Sequence, residues 1–428
     1  MELQLAKGMK DVLPEEKILK QKIISQLKEI FELYGFNPLE TPAIERYDIL
    51  ASKYAGGSEI LKETFRLNDQ GGRELALRYD LTVPFARVIG MNPQLRMPWK
   101  RYQIDKVWRD GPMGLGRYRE FWQCDVDIVG CKEEIADAEI LALADDVFKR
   151  LNLKAEILVN NIKVLHGILE QFGVKNKEEA ILSLDKLRKT SSQAVIEELA
   201  GKGIDRAKAN EIIRFISTKA PQDTLIKKLK AFITNHDGLV GVHELESLFK
   251  YCRLFNAKNL KLDLSLARGL VFYTGAIFEA YLTKSRITSA VAAGGRYDHI
   301  VGKFLESGNE HPCVGISFGL DRIYDALCDN SNKHQLNVTK AFIIPIKTAE
   351  KAIRIMQALR KSNIKTDMDI VGRNISKNLD HANKEKIPYV IFIGEKELKK
   401  NKIKLRDMRT GRERLLTIQQ ACKILCKE

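Results

Sequence analysis

The stretch WKRYQIDKVWRDGPMGLGRYREFWQCDVDIVG, Trp99 to Gly130, decides the fold. Two runs rich in aromatic and β-branched residues flank a turn, Gly111 to Gly116, dense in glycine, which predicts two antiparallel strands joined as a hairpin. Along the second strand the period of two puts Trp122, Cys124, Val126 and Ile128 on one wholly apolar face. Arg119, Phe121, Gln123, Asp125 and Asp127 fall on the other, opposite Arg109 of the partner strand. Two readings fit that second face: a solvated surface, or the floor of a pocket. Arginines along a floor bind phosphates in bidentate fashion, and carboxylates beside them hold an amine or an imidazole. A zwitterion next to a nucleoside triphosphate needs that mixture. The turn is no Walker loop or dinucleotide fingerprint, because GPMGLG lies between strands and no GxxxxGK[ST] or strand-GxGxxG-helix context occurs elsewhere. Phosphates would therefore be held by side chains.

Working outward, Ile23, Leu27, Ile30, Phe31 and Tyr34 recur at helical spacing, with Pro14 suited to a first turn and Gly35 to a C-terminal cap. From there to about Asn152 the chain breaks into short β-rich runs without strand-helix alternation, which predicts a mainly antiparallel sheet with helices on one face. Residues 161–259 carry long Leu/Ile/Lys/Glu periodicity and predict a helical insertion. Residues 260–330 return to Gly-rich, β-branched sequence and resume the sheet begun in residues 1–160. After a polar linker, AFIIPI, IKTDMDI and PYVIFIG alternate with helical runs and predict a compact α/β domain over 338–428. The expected class is α+β.

The 428 residues allow two to four domains. A hydrophobic share of 44% and a charged share of 30% exclude wholesale disorder. No apolar run approaches the ~18–20 residues of a membrane-spanning helix. The net charge is +15, and Thr339 to Glu428 holds 22 Lys and Arg against 10 Asp and Glu, so that segment accounts for +12 of the excess. Such asymmetry predicts a polyanion-binding appendage, nucleic acid first, against the alternative of an ordinary Lys-rich surface. Seven cysteines without a CxxC pair predict neither a disulfide framework nor structural zinc, and the acid-containing N-terminus predicts a cytoplasmic protein. The seven histidines show no metal-ligand spacing, so no metal ligand is expected among them.

Arg109, GRYREF (Gly116 to Phe121) and QCDVDIVG (Gln123 to Gly130) resemble motif 2 of the class II aminoacyl-tRNA synthetases, and specifically the histidyl-tRNA synthetase family. KGMKDVLPEE at Lys7, ETPAIE with Pro42, LRYDLTVPFAR at Leu77, ARGLVFYTGAIFEA at Ala267, AGGRYD at Ala293 and GISFGLDRI at Gly315 carry the same resemblance in order along the chain. The resemblance implies a class II antiparallel sheet flanked by helices, with 338–428 an anticodon-binding domain and the insertion touching the acceptor stem. The implied activity is ligation of L-histidine to tRNA(His) through a histidyl-adenylate, with ATP and Mg2+ as substrate and no tightly bound cofactor. A homodimer is implied, and no membrane.

Residue by residue, the resemblance implies that Asp80, Thr82 and Gln123 take the α-amino group, and that Asp127 and Tyr273 read the two imidazole nitrogens. Tyr297 borders that pocket or simply packs beside it. Arg109 would sit at the α-phosphate and carboxylate, supported by Arg268; Arg117 would reach the γ-phosphate, and Phe121 and Arg322 would sandwich adenine. Two places depart from the family pattern. Val271 and Phe272 replace the usual acid and phenol before Tyr273, and Gly111 occupies the slot two after Arg109 where an acid is common, with Asp110 one position earlier. The first departure keeps open a rival, a catalytically silent, histidine-sensing regulatory paralogue of a histidine-biosynthesis phosphoribosyltransferase.

Overall fold

The computed structural model describes residues 2–53, 61–114, 117–269, 272–304, 310–330 and 337–426. Among them run sixteen strands: β1 (Asn37–Pro38), β2 (Ile44–Arg46), β3 (Arg66–Asn68), β4 (Glu74–Leu77), β5 (Trp99–Trp108), β6 (Glu120–Val129), β7 (Ala155–Asn161), β8 (Leu260–Leu262), β9 (Ala276–Leu282), β10 (Ala292–Arg296), β11 (Cys313–Gly319), β12 (Ala341–Pro345), β13 (Thr366–Met368), β14 (Tyr389–Ile393), β15 (Ile403–Asp407) and β16 (Glu413–Leu416). The chain divides into two compact units, Met1–Lys10 with Ile23–Asn330, and Asp11–Lys22 with Ser331–Glu428.

The hairpin forms as its pattern dictates: β5 and β6 pair antiparallel from Trp99↔Val129 to Trp108↔Glu120. They lie inside an eight-stranded sheet of order β1-β5-β6-β11-β10-β9-β7-β8. Its six central strands are antiparallel, and the short pairs β1/β5 and β7/β8 at its edges are parallel, so the expected antiparallel sheet is mixed at its rims. Six α-helices and one 3-10 helix, spanning 162–254, leave the sheet after β7 and return to it at β8.

One face of this sheet is core. Cys124, Val126 and Ile128 are buried there, and Phe318 on β11 lies beside Cys124 in register. Phe31 from the helix Pro14–Leu33 and Phe148 from the helix Glu134–Arg150 each stand 5.9 Å from the Phe318 ring. The first helix ends where Gly35 (φ 78°) allows a Schellman closure: Phe36 N donates to Phe31 O at 3.0 Å and Gly35 N to Glu32 O at 2.9 Å. The opposite sheet face is left for the cleft.

A three-stranded sheet, β2-β4-β3, aims the chain after β4 at that cleft. Arg78 is the anchor: fully buried, it donates to Thr41 O at 2.7 Å and Lys106 O at 2.8 Å and pairs with Asp105 at 2.7 Å. Trp108 N donates back to Arg78 O at 3.1 Å, which fixes Tyr79 and Asp80 against the end of β5.

In the second unit the sheet order is β13-β12-β14-β15-β16, with β12, β13 and β14 parallel and β14, β15 and β16 antiparallel. Ile343 and Ile391 pack with Leu359 and Leu425 on one face, and Phe342 and Val390 pack with Ala382 on the other. Coverage of both faces is why its central strands read as unbroken apolar runs.

Candidate active site

A cleft of about 770 Å³ opens on the polar face of β6. Asp80, Thr82, Arg109, Arg117, Phe121, Gln123, Asp127, Arg268, Tyr273, Tyr297 and Arg322 all line it. Of the two readings of that face, the pocket floor is correct: Asp125 and Asp127 are buried, at 4% and 5% exposure. Val271 and Gly116 lie outside the described residues.

At the deep end the Asp127 carboxylate is fixed from two sides. Arg101 Nη2 on β5 meets Asp127 Oδ2 at 2.7 Å, and the Tyr297 hydroxyl donates to Asp127 Oδ1. Burial first, then the neighbouring carboxylate, raises the Tyr297 pKa well above its ordinary value, so the phenol stays a donor. Glycine in AGGRYD and GISFG has a physical reason here. A Cβ on Gly295 would stand 2.8 Å from the Tyr273 ring, and one on Gly315 would collide with Asp127 Oδ1. Phe272 packs its ring 4.5 Å from Tyr273 and edge-on to Tyr297 at 6.2 Å, so the residue that departs from the family pattern buttresses both phenols.

Asp80 Oδ1 accepts from Thr82 N at 3.0 Å and Val83 N at 2.9 Å, capping the helix Thr82–Met91. Gln123 Nε2 donates to Ser317 Oγ at 2.9 Å across the β6/β11 pair. Arg268 donates to the Tyr273 hydroxyl at 3.4 Å and to Glu279 Oε1, while Tyr281 donates to Glu279 Oε2 at 2.5 Å. Burial opposes the Arg268 charge, but Tyr273 and Glu279 more than offset it and its pKa lies above the ordinary arginine value.

Toward the mouth, cations converge. Arg109 donates through Nε to Tyr79 O at 3.2 Å, with its guanidinium carbon 4.2 Å from the Tyr79 ring centre and 5.0 Å from that of Phe121. Arg117 is exposed on the hairpin turn, where it bridges to Gly114. Arg322 donates to Ala290 O at 2.5 Å from the helix Leu320–Asn330, which Asp321 ties to β6 by accepting from Trp122 N at 3.0 Å. Burial, reinforced by repulsion from Arg117 and Arg109, lowers the Arg322 pKa. Three arginines that repel one another around one space make a receptor for a polyanion.

Several residues in the cleft wall or directly behind it escape the sequence reading. Arg101, paired in register with Asp127, was discoverable from the alternation of β5, whereas Glu279, Tyr281 and Ser317 depend on strand order across the sheet. Glu63 donates nothing to a motif, yet its carboxylate accepts from Tyr79 at 3.0 Å and fills the space a Gly111 side chain would take. From the helical segment, Asp185, Arg188 and Lys189 reach the rim. Among the described residues no group of three or more His, Cys, Asp or Glu is placed to hold a metal ion. No described helix is long and apolar enough to cross a membrane.

The family profile described as Histidyl-tRNA synthetase matches residues 8–323, and that of the Anticodon binding domain matches 340–428. Histidine–tRNA ligase 1 of Bacillus cereus is 44% identical over 430 residues, covering 99% of this chain and 100% of the relative. The crystal structure of histidyl-tRNA synthetase from Nostoc sp. PCC 7120 superposes with a TM-score of 0.88 at 28% identity, over 100% of this chain and 99% of that one. A structure titled ATP phosphoribosyltransferase regulatory subunit/histidyl-tRNA synthetase, from Bacillus halodurans C, shares the fold at a TM-score of 0.76 and 22% identity, over 92% of this chain and 98% of that one. Nothing in these likenesses favours the regulatory alternative. The chain belongs to the histidyl-tRNA synthetase family, and its activity is that of a histidine–tRNA ligase.

Proposed function

We propose that this cleft performs both steps of histidine–tRNA ligation with the residues named above. Histidine's carboxylate attacks the α-phosphorus of ATP, the bond to the β-phosphate oxygen breaks, and pyrophosphate leaves histidyl-adenylate behind. A hydroxyl of the tRNA's terminal adenosine then attacks the acyl carbon and releases AMP. Neither step needs a protein nucleophile; positioning and charge stabilisation do the work.

The observation that carries this reading is the segregation of charge in one cleft. Asp127, Tyr297 and Tyr273 stand at the deep end, where a paired carboxylate and two phenols suit an imidazole, and Asp80, Thr82 and Gln123 border it for an ammonium group. Arg109 and Arg268 flank the place between, where negative charge grows on the α-phosphate. Arg117 takes the γ-phosphate, and adenine lies between Phe121 and Arg322, a planar guanidinium suited to stacking. Magnesium would arrive with ATP, whose phosphates would supply most of its oxygen ligands; Glu63, Glu279 and Asp321 are among the carboxylates that line the cleft.

The tRNA spans further regions. Residues 338–428 act as the anticodon-binding domain, and the insertion 161–259 meets the acceptor stem through the rim residues Arg188 and Lys189. The protein works in the cytoplasm as a homodimer built around Pro42; a particle of single-chain mass by light scattering would refute the dimer. The decisive experiment is histidine-dependent exchange of labelled pyrophosphate into ATP. Robust exchange that collapses in Arg268→Ala supports adenylate chemistry here, and its absence from folded protein that binds histidine would refute it.

A further inference from the structure

We infer that Asp125, on the β6 floor, receives the α-ammonium group of histidine together with Gln123, and that Ser317 orients both acceptors. The inference rests on the ligase reading of the cleft and assigns a residue that reading leaves idle.

Asp125 lies between Gln103 of β5 and Ser317 of β11 in register, lines the cleft, and is 4% exposed. Its Oδ1 is buried without a hydrogen-bond partner, and so is Oε1 of Gln123, two residues along the same face. Buried acceptors of this kind are costly, and two side by side in a cavity are explained by a donor that arrives with the ligand.

The serine decides which way the acceptors point. Ser317 Oγ accepts from Gln123 Nε2 at 2.9 Å, which leaves its single hydroxyl proton for the Asp125 carboxylate opposite it in register. The amide is thereby turned with its oxygen toward the cleft. Both open atoms are acceptors, and a group with several N–H donors and a positive charge matches them. Asp80 is a weaker claimant, because its Oδ1 already accepts two backbone N–H groups of the helix it caps.

The charges on the floor agree. Arg101 pairs directly with Asp127 at 2.7 Å and reaches Asp125 only as a weaker, longer-range attraction. Burial, with repulsion from Asp127 and Asp80 and only partly opposed by Arg101, pushes the Asp125 carboxyl up to about 7. An arriving ammonium supplies a close positive charge and draws the carboxyl into its ionised form.

The test compares three ligands on wild type, Asp125→Asn and Ser317→Ala: histidine, histidinol, which keeps the ammonium group, and 3-(imidazol-4-yl)propionate, which lacks it. Calorimetric binding to Asp125→Asn should weaken about 10-fold or more for histidine and histidinol, and less than about 2-fold for the propionate. Ser317→Ala should show the same selectivity at smaller size. Equal weakening of all three ligands would make Asp125 merely structural, and unchanged histidinol binding would overturn the inference outright. Wild-type pyrophosphate exchange, run alongside, separates the cases: its absence sinks the ligase reading, whereas exchange with unselective variants sinks only the role of Asp125.

Discussion

The Tyr297 hydroxyl donates to the same Asp127 carboxylate that Arg101 grips at 2.7 Å. Asp127 is thus oriented before any ligand arrives, and a carboxylate with about four lone-pair sites retains capacity for an imidazole N–H. Tyr297→Phe removes one support and keeps the ring. Steady-state pyrophosphate exchange should show a histidine KM raised about 10-fold with kcat within about 2-fold, the size of one hydrogen bond to a charged group. An unchanged KM would mean that the phenol only packs.

Arg101 is fully buried, and its Nε and Nη1 lack hydrogen-bond partners, so its charge depends on Asp127. Asp127→Asn should lower the unfolding free energy by about 3–5 kcal/mol, the cost of stranding a buried charge. Urea unfolding should further show that adding Arg101→Met restores much of the loss without restoring histidine activation. A double variant no more stable than Asp127→Asn would refute the account.

Arg109 combines a bond to Tyr79 O at 3.2 Å with contacts to two aromatic faces. A lysine keeps the charge and loses the planar fork. Arg109→Lys should therefore lower kcat for pyrophosphate exchange about 10²-fold or more, approaching the loss from removing a transition-state donor. Activity within about 3-fold of wild type would show that charge alone suffices there.

The hairpin was legible because period two along Glu120 to Val129 is a local property, and so was the grouping of Phe121, Gln123 and Asp127 on one face. The lone residues contributed by other strands were not. Ser317 and Glu279 reach the cleft only because β11 and β9 take non-sequential places in the sheet order. Glu63 arrives through the small sheet's neighbourhood, and nothing in its local pattern distinguishes it from a surface acid. Arg101 lay between these cases: its face was readable from β5, but its burial followed from the register opposite Asp127.

Asp125, held up at about 7 by burial first and by Asp127 and Asp80, gives the stability a readable pH dependence. Its unfolded value is near 3.9, so between about pH 4 and 7 the folded state binds the extra proton. Its contribution is fully present below the unfolded pKa and is lost as pH rises through the folded one. Measured without ligand by urea unfolding, the stability of wild type relative to Asp125→Asn should fall by about 3 kcal/mol between pH 4.5 and 7.5. A constant difference across that window would place the Asp125 carboxyl near its ordinary value.

The charge asymmetry of the chain separates tRNA from the two small substrates experimentally. From Thr339 onward 22 basic residues stand against 10 acidic ones, whereas the cleft proposed for histidine and ATP has largely buried ion pairs. Each phosphate neutralised by this segment releases counterions, with a slope of about −0.7 to −0.9 per contact in a plot of log affinity against log salt. Raising KCl from 50 to 200 mM should thus raise the tRNA KM in aminoacylation about 10-fold or more, for even two or three phosphate contacts. Pyrophosphate exchange, which needs no tRNA, should change less than about 3-fold over the same range, since buried pairs are screened weakly. Parallel loss of both activities would locate the salt effect in the cleft and remove the basic segment as its cause; a flat tRNA KM would show that its positive charge is ordinary surface.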